Sequence, residues 1–497
     1  MRPLEPMTPL DQVTLLDPVT LAGRRAPSRV VFGPLETNLG EGRSLSAAHV
    51  AYYARRAAGG GGVTEVASVH DGDWPYERAP LAADCRDGWR QIARACHRSG
   101  ALLLAGLGHT GLQGSSAYSQ RELWGPSGFT YVASRETPMI MEQPQVDAII
   151  SGFAVAAAAA VAAGADGVEI DAGAGALLRQ FHSGLTNQRT DAYGPGADRL
   201  RADGCGPTAS GAGQLALTLA VLSAVRAAMG RDHVLALRLC CDELAPWAGI
   251  TPEVGAEQAA ALAPSLDLLT VVRGGPYAGS AYRPDAHTPP LFNADLAAAV
   301  RTVVRGAVPV VLQGSVVDAA DAQAALAAGR ADLVEMTRAQ IADAELVAKL
   351  RAGYSERIRP CTLCNQACRV RDYRNPVISC VADPRSGHET TDPPEPAGMA
   401  EVIGAAGGAP REVLVVGGGP AGLEAARSAA ARGHRVRVAE RSGRLGGTLR
   451  AAAAGPARQR MARLADWPSA GGWACGWTPA PRSPPRTWTP RAPAGPR

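Results

Sequence analysis

Residues 308–338 read VPVVLQGSVVDAADAQAALAAGRADLVEMTR. An apolar run, Val308 to Leu312, gives way to the turn Gln313-Gly314-Ser315, then to an alanine-rich helical stretch, then to a second apolar run, Leu333 to Met336. Two strands of the fully buried type with a helix between them cannot form a hairpin; they form a parallel strand-helix-strand unit. The same alternation recurs from Arg29 to Arg351. Six further strands are predicted near Val30 to Phe32, Val63 to Val66, Leu102 to Ala105, Gly167 to Ile170, Val234 to Leu239 and Leu268 to Val272. Eight such pairs predict an α/β fold, a (β/α)8 TIM barrel.

In that fold chemistry collects on the loops after the strands, and phosphate binds after strands seven and eight. The quoted stretch puts Gly314-Ser315 and Thr337-Arg338 there. Backbone N–H groups of a Gly-Ser turn with an arginine one loop away form a cradle suited to a flavin phosphate. The plainer reading of the same glycine is that barrel turns need one. Arg238, inside the apolar fifth strand, requires an anionic or polarisable partner, and the N1/O2 edge of a flavin would serve.

The chain has 497 residues, enough for one barrel and part of another domain. Its formal charge of +4 arises from 49 arginines and one lysine, Lys349, against 46 acidic residues. The basic residues are scattered, so neither nucleic acid nor an anionic membrane is indicated. Met1 to Asp11 lacks the pattern of a signal peptide, and the most apolar helix, near Ile149 to Ala163, is too alanine-rich to predict a membrane span. A cytoplasmic location, a small-molecule substrate, a redox partner protein and a homo-oligomer are expected.

Four of the ten cysteines lie in PCTLCNQACRVRDYRNPVISC, residues 360–380. Cys361, Cys364 and Cys368 sit within eight residues and Cys380 follows after eleven intervening positions. Three crowded thiolates plus one distant thiolate match the corners of a 4Fe-4S cubane, whereas structural zinc more often takes two separated pairs. Zinc is the alternative. A cluster requires reduced thiols, in line with the cytoplasmic expectation.

After the Pro/Gly-rich linker 392–410, EVLVVGGGPAGLEAARSAAARGHRVRVAE predicts a strand, a glycine turn, a helix and a second strand ending in Glu440. Gly417, Gly419 and Gly422 form the G-x-G-x-x-G turn that lets a pyrophosphate approach a helix N-terminus, and Glu440 is placed to bind ribose hydroxyls. Residues 451–497 hold nine prolines and four tryptophans but no valine, isoleucine or phenylalanine. No strand is predicted there; an aberrant or disordered tail, from a shifted or shortened reading frame, or a linker to a partner, is expected. The glycine-rich stretch between Arg201 and Leu215 predicts a surface loop.

These motifs carry a resemblance. Residues 27–390 resemble the old yellow enzyme (NADH:flavin oxidoreductase) family, in its 2,4-dienoyl-CoA reductase and trimethylamine dehydrogenase subclass. Leu185-Thr186-Asn187-Gln188-Arg189-Thr190-Asp191, Tyr193-Gly194, Asp198-Arg199-Leu200-Arg201 and the cysteine spacing carry it. The segments VVFGPLETNLG, DWPYERAPLAAD and LCNQACRVRDYRNP are similar to mycofactocin-associated members. The resemblance implies FMN held by Gly33, Pro34, Arg238, Gly314, Ser315 and Arg338, and electron flow from a nicotinamide through FAD and the cluster to FMN. Gly443-Arg444-Leu445-Gly446-Gly447 resembles the continuation of an FAD site, but binding of FAD is expected to be incomplete, and hydride uptake from NAD(P)H inefficient.

By the same resemblance, GVEIDAGAGALLRQFHSGLTNQRTD carries the substrate side. The family offers a histidine, a second polar group and a proton-donating tyrosine after strand four; this chain has Asp171, Ala174 and Ala176. Alanine cannot donate a proton. Asp171 with Trp74, Tyr76, Tyr277 and Tyr282 would suit a cationic amine; alternatively Asp171 caps a loop and the aromatics fill the mouth. His109 matches a family histidine and could equally be structural. Three readings follow: a reductase of activated C=C bonds, an amine (N-methyl amine) dehydrogenase feeding the cluster, and an impaired, truncated family member. The expected organisation is an FMN barrel at 1–352, a cluster segment at 353–391, the linker, a partial FAD unit at 411–450 and the tail.

Overall fold

The computed structural model describes residues 13–57, 60–195, 212–275, 277–369, 376–392, 409–455, 458–470 and 475–479. The Asp198–Arg201 motif, residues 201–211 of the expected surface loop, most of the linker and residues 480–497 lie outside them. Two compact units divide after Pro393.

The first unit is a closed parallel barrel. Its strands are β1 (Val30–Phe32), β2 (Gly61–Val63), β3 (Leu102–Gly108), β4 (Gly167–Ala172), β5 (Val234–Cys240), β6 (Leu268–Val272), β7 (Val310–Leu312) and β8 (Leu333–Glu335). Each pairs in parallel with the next, and β8 closes on β1. The outer helices are α1 (Ala47–Arg56), α2 (Arg86–His97), α3 (Gln143–Ala162), α4 (Ala212–Met229), α5 (Pro252–Leu262), α6 (Ala294–Val304), α7 (Ala319–Ala327) and α8 (Leu346–Arg351). Residues 212–215, expected as loop, are the first turn of α4, because Leu215 and Leu217 find buried sites in the helical layer.

Local sequence explains the elements. In α2, Trp89, Ile92, Ala93 and Cys96 fall at i, i+3, i+4 and i+7 and are all buried. Helix α1 starts where Ser46 and His49 form a capping box, and α5 where Thr251 caps a turn with Pro252 at its first position. Trp89 and Phe153 are fully buried, each stabilising the fold by about 2–3 kcal/mol through apolar burial. Helices α3 and α4 are long and apolar enough to cross a membrane, but here they pack on each other, and α3 also packs on β3 and β4.

Inside the barrel, Val31, Val63, Leu104, Val234, Leu268, Val311 and Leu333 form an apolar floor. Leu21 of the antiparallel hairpin Val19–Leu21/Arg24–Ala26 belongs to it, and Val19 and Ala22 pack against it, so the hairpin covers the N-terminal end. After α8 the entrance to the cysteine segment is tied back to Asp343, just before the helix, whose Oδ2 accepts from Lys349 Nζ and from the Arg359 N–H, both at 2.7 Å.

The second unit has β9 (Glu412–Val416), α9 (Pro420–Ala431), β10 (Arg435–Glu440), α10 (Arg460–Ala470) and β11 (Cys475–Pro479). All three strands are parallel, in the order β9-β10-β11. This corrects the expectation that nothing regular follows residue 450: β11 joins the open edge of β10 by main-chain pairing, which needs no β-branched side chain, and Trp467 is buried with its ring 5.9 Å from the Arg427 guanidinium carbon. Val413, Val415, Val436 and Val438 pack with Ala426 on one face of the sheet. On the other, Leu414 and Val416 are 64% and 81% exposed.

Candidate active site

A cavity of about 1480 Å³, open solvent included, lies at the C-terminal ends of the barrel strands. Pro34, Tyr76, His109, Asp171, Arg238, Tyr282, Gly314, Ser315 and Arg338 all line it. Gly33 lies just beneath: its N–H donates to Thr337 Oγ1 at 2.8 Å, and a Cβ there would fall 2.2 Å from the Glu335 carboxyl. Glycine makes room for that carboxylate.

The turn after β7 is shaped for an anion. Gly314 has φ +132° and Ser315 φ +58°, a left-handed conformation costly for a residue with a side chain. Arg338 compensates by donating from Nη2 to Ser315 Oγ at 2.6 Å, while its Nη1 reaches Pro284 O at 2.6 Å and Asn365 Oδ1 at 2.7 Å. One guanidinium thus joins the loops after β6 and β7 to the cysteine segment. Burial lowers its pKa, and the thiols of Cys361 and Cys368 oppose that shift. The N–H groups of Gly314, Ser315, Thr337 and Arg338 have no acceptor among the described residues, as a phosphate cradle requires.

Arg238 has the anionic partners its position demanded, and they are protein carboxylates. Its Nε donates to Glu169 Oε1 at 2.9 Å and its Nη2 to Glu335 Oε2 at 2.5 Å. Sequence reasoning missed both, although each is an acid at an inward position of an otherwise apolar strand, in GVEID and DLVEM. Asp171, one inward position above Glu169, does cap its loop by accepting the Gly173 N–H at 2.8 Å, and it also lines the cavity. His109 is buried, its Nδ1 accepts the Gly111 N–H at 2.9 Å, and its ring lies parallel to Trp124 at 5.9 Å. Burial pushes its pKa below the usual imidazole value, so it is neutral at pH 7, with its proton on Nε2.

The aromatics separate. Tyr76 is buried, lines the cavity and donates its hydroxyl to Glu65 Oε1. Tyr282 lines it too. Trp74 does not: its indole donates to Glu77 O at 3.0 Å and its face covers Arg43. Tyr277 is 46% exposed on the rim, edge-on to Phe129 and Trp247.

Cys361, Cys364, Cys368 and Cys380 line one recess of about 320 Å³, open solvent included. Arg338, Ile341, Asn365 and Cys368 line both this recess and the large cavity. Burial raises the Cys361 thiol to about 12 and the Cys380 thiol to about 11. Among the described residues no three His, Cys, Asp or Glu side chains converge as a single metal ion would require.

In the second unit, Gly417 has φ +101° and Gly419 caps α9. A Cβ on Gly422 would meet Gly417 O at 1.9 Å, so helix and turn pack too closely for any other residue. Glu440 accepts the Gly418 and Ser442 N–H groups at 2.7 Å each, and the two bonds, Ser442's first, lower its pKa.

A (β/α)8 barrel with free N–H groups after its last two strands has the form of a phosphate-cofactor enzyme. The comparisons agree. Residues 14–357 match the NADH:flavin oxidoreductase / NADH oxidase family, and the chain belongs to it. Residues 412–469 match the FAD dependent oxidoreductase family, past the boundary at 450 that the sequence suggested. A metal reductase of Desulforamulus reducens is 32% identical over 88% of this chain and 62% of its own. An N,N-dimethylglycine/sarcosine dehydrogenase of Chromohalobacter salexigens is 31% identical over 87% and 60%. The solved 2-naphthoyl-CoA reductase complex with 2-naphthoyl-CoA has 26% identity and a TM-score of 0.82, over 92% of this chain and 69% of that one. The chain spans about three fifths of the length of these two curated relatives.

Proposed function

We propose that the barrel oxidises a small amine, with FMN seated over Arg238 and a 4Fe-4S cluster held by Cys361, Cys364, Cys368 and Cys380. When bound, FMN exchanges hydride with substrate and the cluster carries single electrons. The free N–H groups after β7 and β8 fit a phosphate. Four thiols around one recess, without three donors converging on one point, fit a polynuclear group better than a lone zinc ion.

The observation that favours an amine is Asp171 at the cavity wall beside Ala174, also a lining residue. A carboxylate there attracts and orients an ammonium group, and Tyr282 adds an aromatic face. Neutral His109 adds no competing positive charge. Reduction of an activated C=C bond is the second reading; with Ala176 in place of the family's tyrosine, it needs its proton from elsewhere, and the Tyr282 hydroxyl is the candidate at the mouth. The related dehydrogenase acts on methylated glycines by name, and the solved reductase holds an aromatic thioester, so neither direction is foreign to the fold.

The test is anaerobic flavin reduction by a panel of N-methylated amines, against reoxidation of the reduced flavin by enones. Bleaching by an amine, lost in Asp171→Ala, is expected; enone turnover with inert amines would overturn the reading.

A further inference from the structure

The barrel interior directly above its apolar floor is ionic. Glu169 of β4, Arg238 of β5 and Glu335 of β8 point inward and form one chain, with bonds of 2.9 Å and 2.5 Å to the shared guanidinium. Their side chains are 2%, 10% and 6% exposed. Thr270 of β6 donates to Glu169 Oε2 at 3.2 Å and Thr337 donates to Glu335 Oε1 at 3.1 Å. Asp171 is the next acid on β4 and adds its charge to the group. Gly33, just after β1, and Gly106 of β3 bring no ionisable group, while Glu65, just after β2, is buried and held by Thr37, His49 and Tyr76. Two carboxylates therefore share one cation in a water-poor layer that opens into the cavity, where Glu335 and Arg238 are both lining residues.

Such a triad carries one negative charge more than it can balance. Burying an unbalanced carboxylate is costly, and protonation removes the cost. Burial, with Glu335 and Asp171 adding to it, raises the pKa of Glu169, while Arg238 opposes the shift. Adding negative charge at the cavity floor makes a second carboxylate still harder to maintain.

Building on the FMN seat proposed above, we propose that the Glu169/Glu335 pair is a redox-linked proton acceptor. With a reduced flavin held over Arg238, negative charge at its N1/O2 edge would compete for Arg238, and one of the two carboxylates would take a proton from solvent. At the pair the one bond formed is that O–H, in addition to the hydrogen the flavin itself receives, and reoxidation would release the proton. The two acids are positioning groups for charge, acting through Arg238.

The measurement is the midpoint potential of the FMN-loaded full chain from pH 7 to pH 9, together with infrared difference spectra of reduction. A two-electron couple falls by about 30 mV per pH unit for each proton taken up. The native protein is expected to fall by about 60 mV per unit, one proton on the flavin and one on the pair, with a new carbonyl-stretch band of a protonated carboxyl. Glu335→Gln should halve the slope and remove the band, and Glu169→Gln serves in the same way if the first variant folds poorly. Equal slopes in native and variant proteins, or a reduced protein without the band, overturn the proposal while leaving the FMN seat standing. Protein that binds no FMN overturns both.

Discussion

Arg338 is the side chain on which most depends, because it supplies three hydrogen bonds at once to Ser315, Pro284 and Asn365. With FMN seated as proposed, removing it would delete a charge-assisted contact to phosphate worth about 1.5–3 kcal/mol, and it releases a strained serine. Arg338→Ala should weaken FMN binding by about tenfold or more, read by fluorescence titration of the apoprotein; unchanged affinity would place the phosphate elsewhere. His182 gives a second expectation. It is buried against Thr218, bonded at 2.7 Å, and burial pushes its pKa down to about 3. The unfolded chain binds a proton near pH 6.5 that the folded chain refuses, so this residue's contribution is present above pH 6.5 and is lost as pH falls toward 3. Urea midpoints should decline over that window, less steeply in His182→Gln. From sequence, Arg238 could be seen to need anions, but not which ones: the choice of Glu169 and Glu335 over a ligand depends on inward register, which adjacent strands fix only once paired.

At the scale of elements, the eight strands and their order were legible, because buried parallel strands are short apolar runs and the helices between them are amphipathic or alanine-rich. Ends were less so. Strand two stops at Val63 rather than Val66: the Thr64 N–H still bonds Leu104 O of β3, but the Glu65 N–H leaves the ladder for the Tyr53 hydroxyl. The strand at Cys475–Pro479 was invisible because its pairing is with main chain and leaves no apolar pattern. The cysteine segment was legible as spacing alone, and the fold adds the single recess. Cys364→Ser, purified anaerobically, should lose most iron and the broad visible absorbance of a cubane; retention of about four irons per chain would refute the assignment. The rim aromatics are the counterexample: nothing in sequence separates Tyr282, which lines the cavity, from Tyr277, which packs outside it on Trp247.

For the whole molecule, the apolar clusters fall cleanly within units: two between Leu15 and Ile378, one between Val413 and Leu445. Each has its own core, which is the physical condition for independent folding. A chain ending at Pro393 should therefore bind FMN with native affinity and unfold in one transition by calorimetry. Loss of FMN in that shortened chain would show that the second unit contributes to the seat. The lone lysine gives the molecule another property. Lys349 holds Asp343, and Asp343 also holds the main chain of Arg359 at the entrance to the cysteine segment. An amine-selective acylating reagent has one side-chain target in this sequence, and that target is 20% exposed while its ion pair is intact. Labelling speed at this single amine, followed by mass spectrometry, becomes a clock for how often the thiol-bearing segment lifts from the barrel, and it should run slow in metal-loaded protein and fast after chelation.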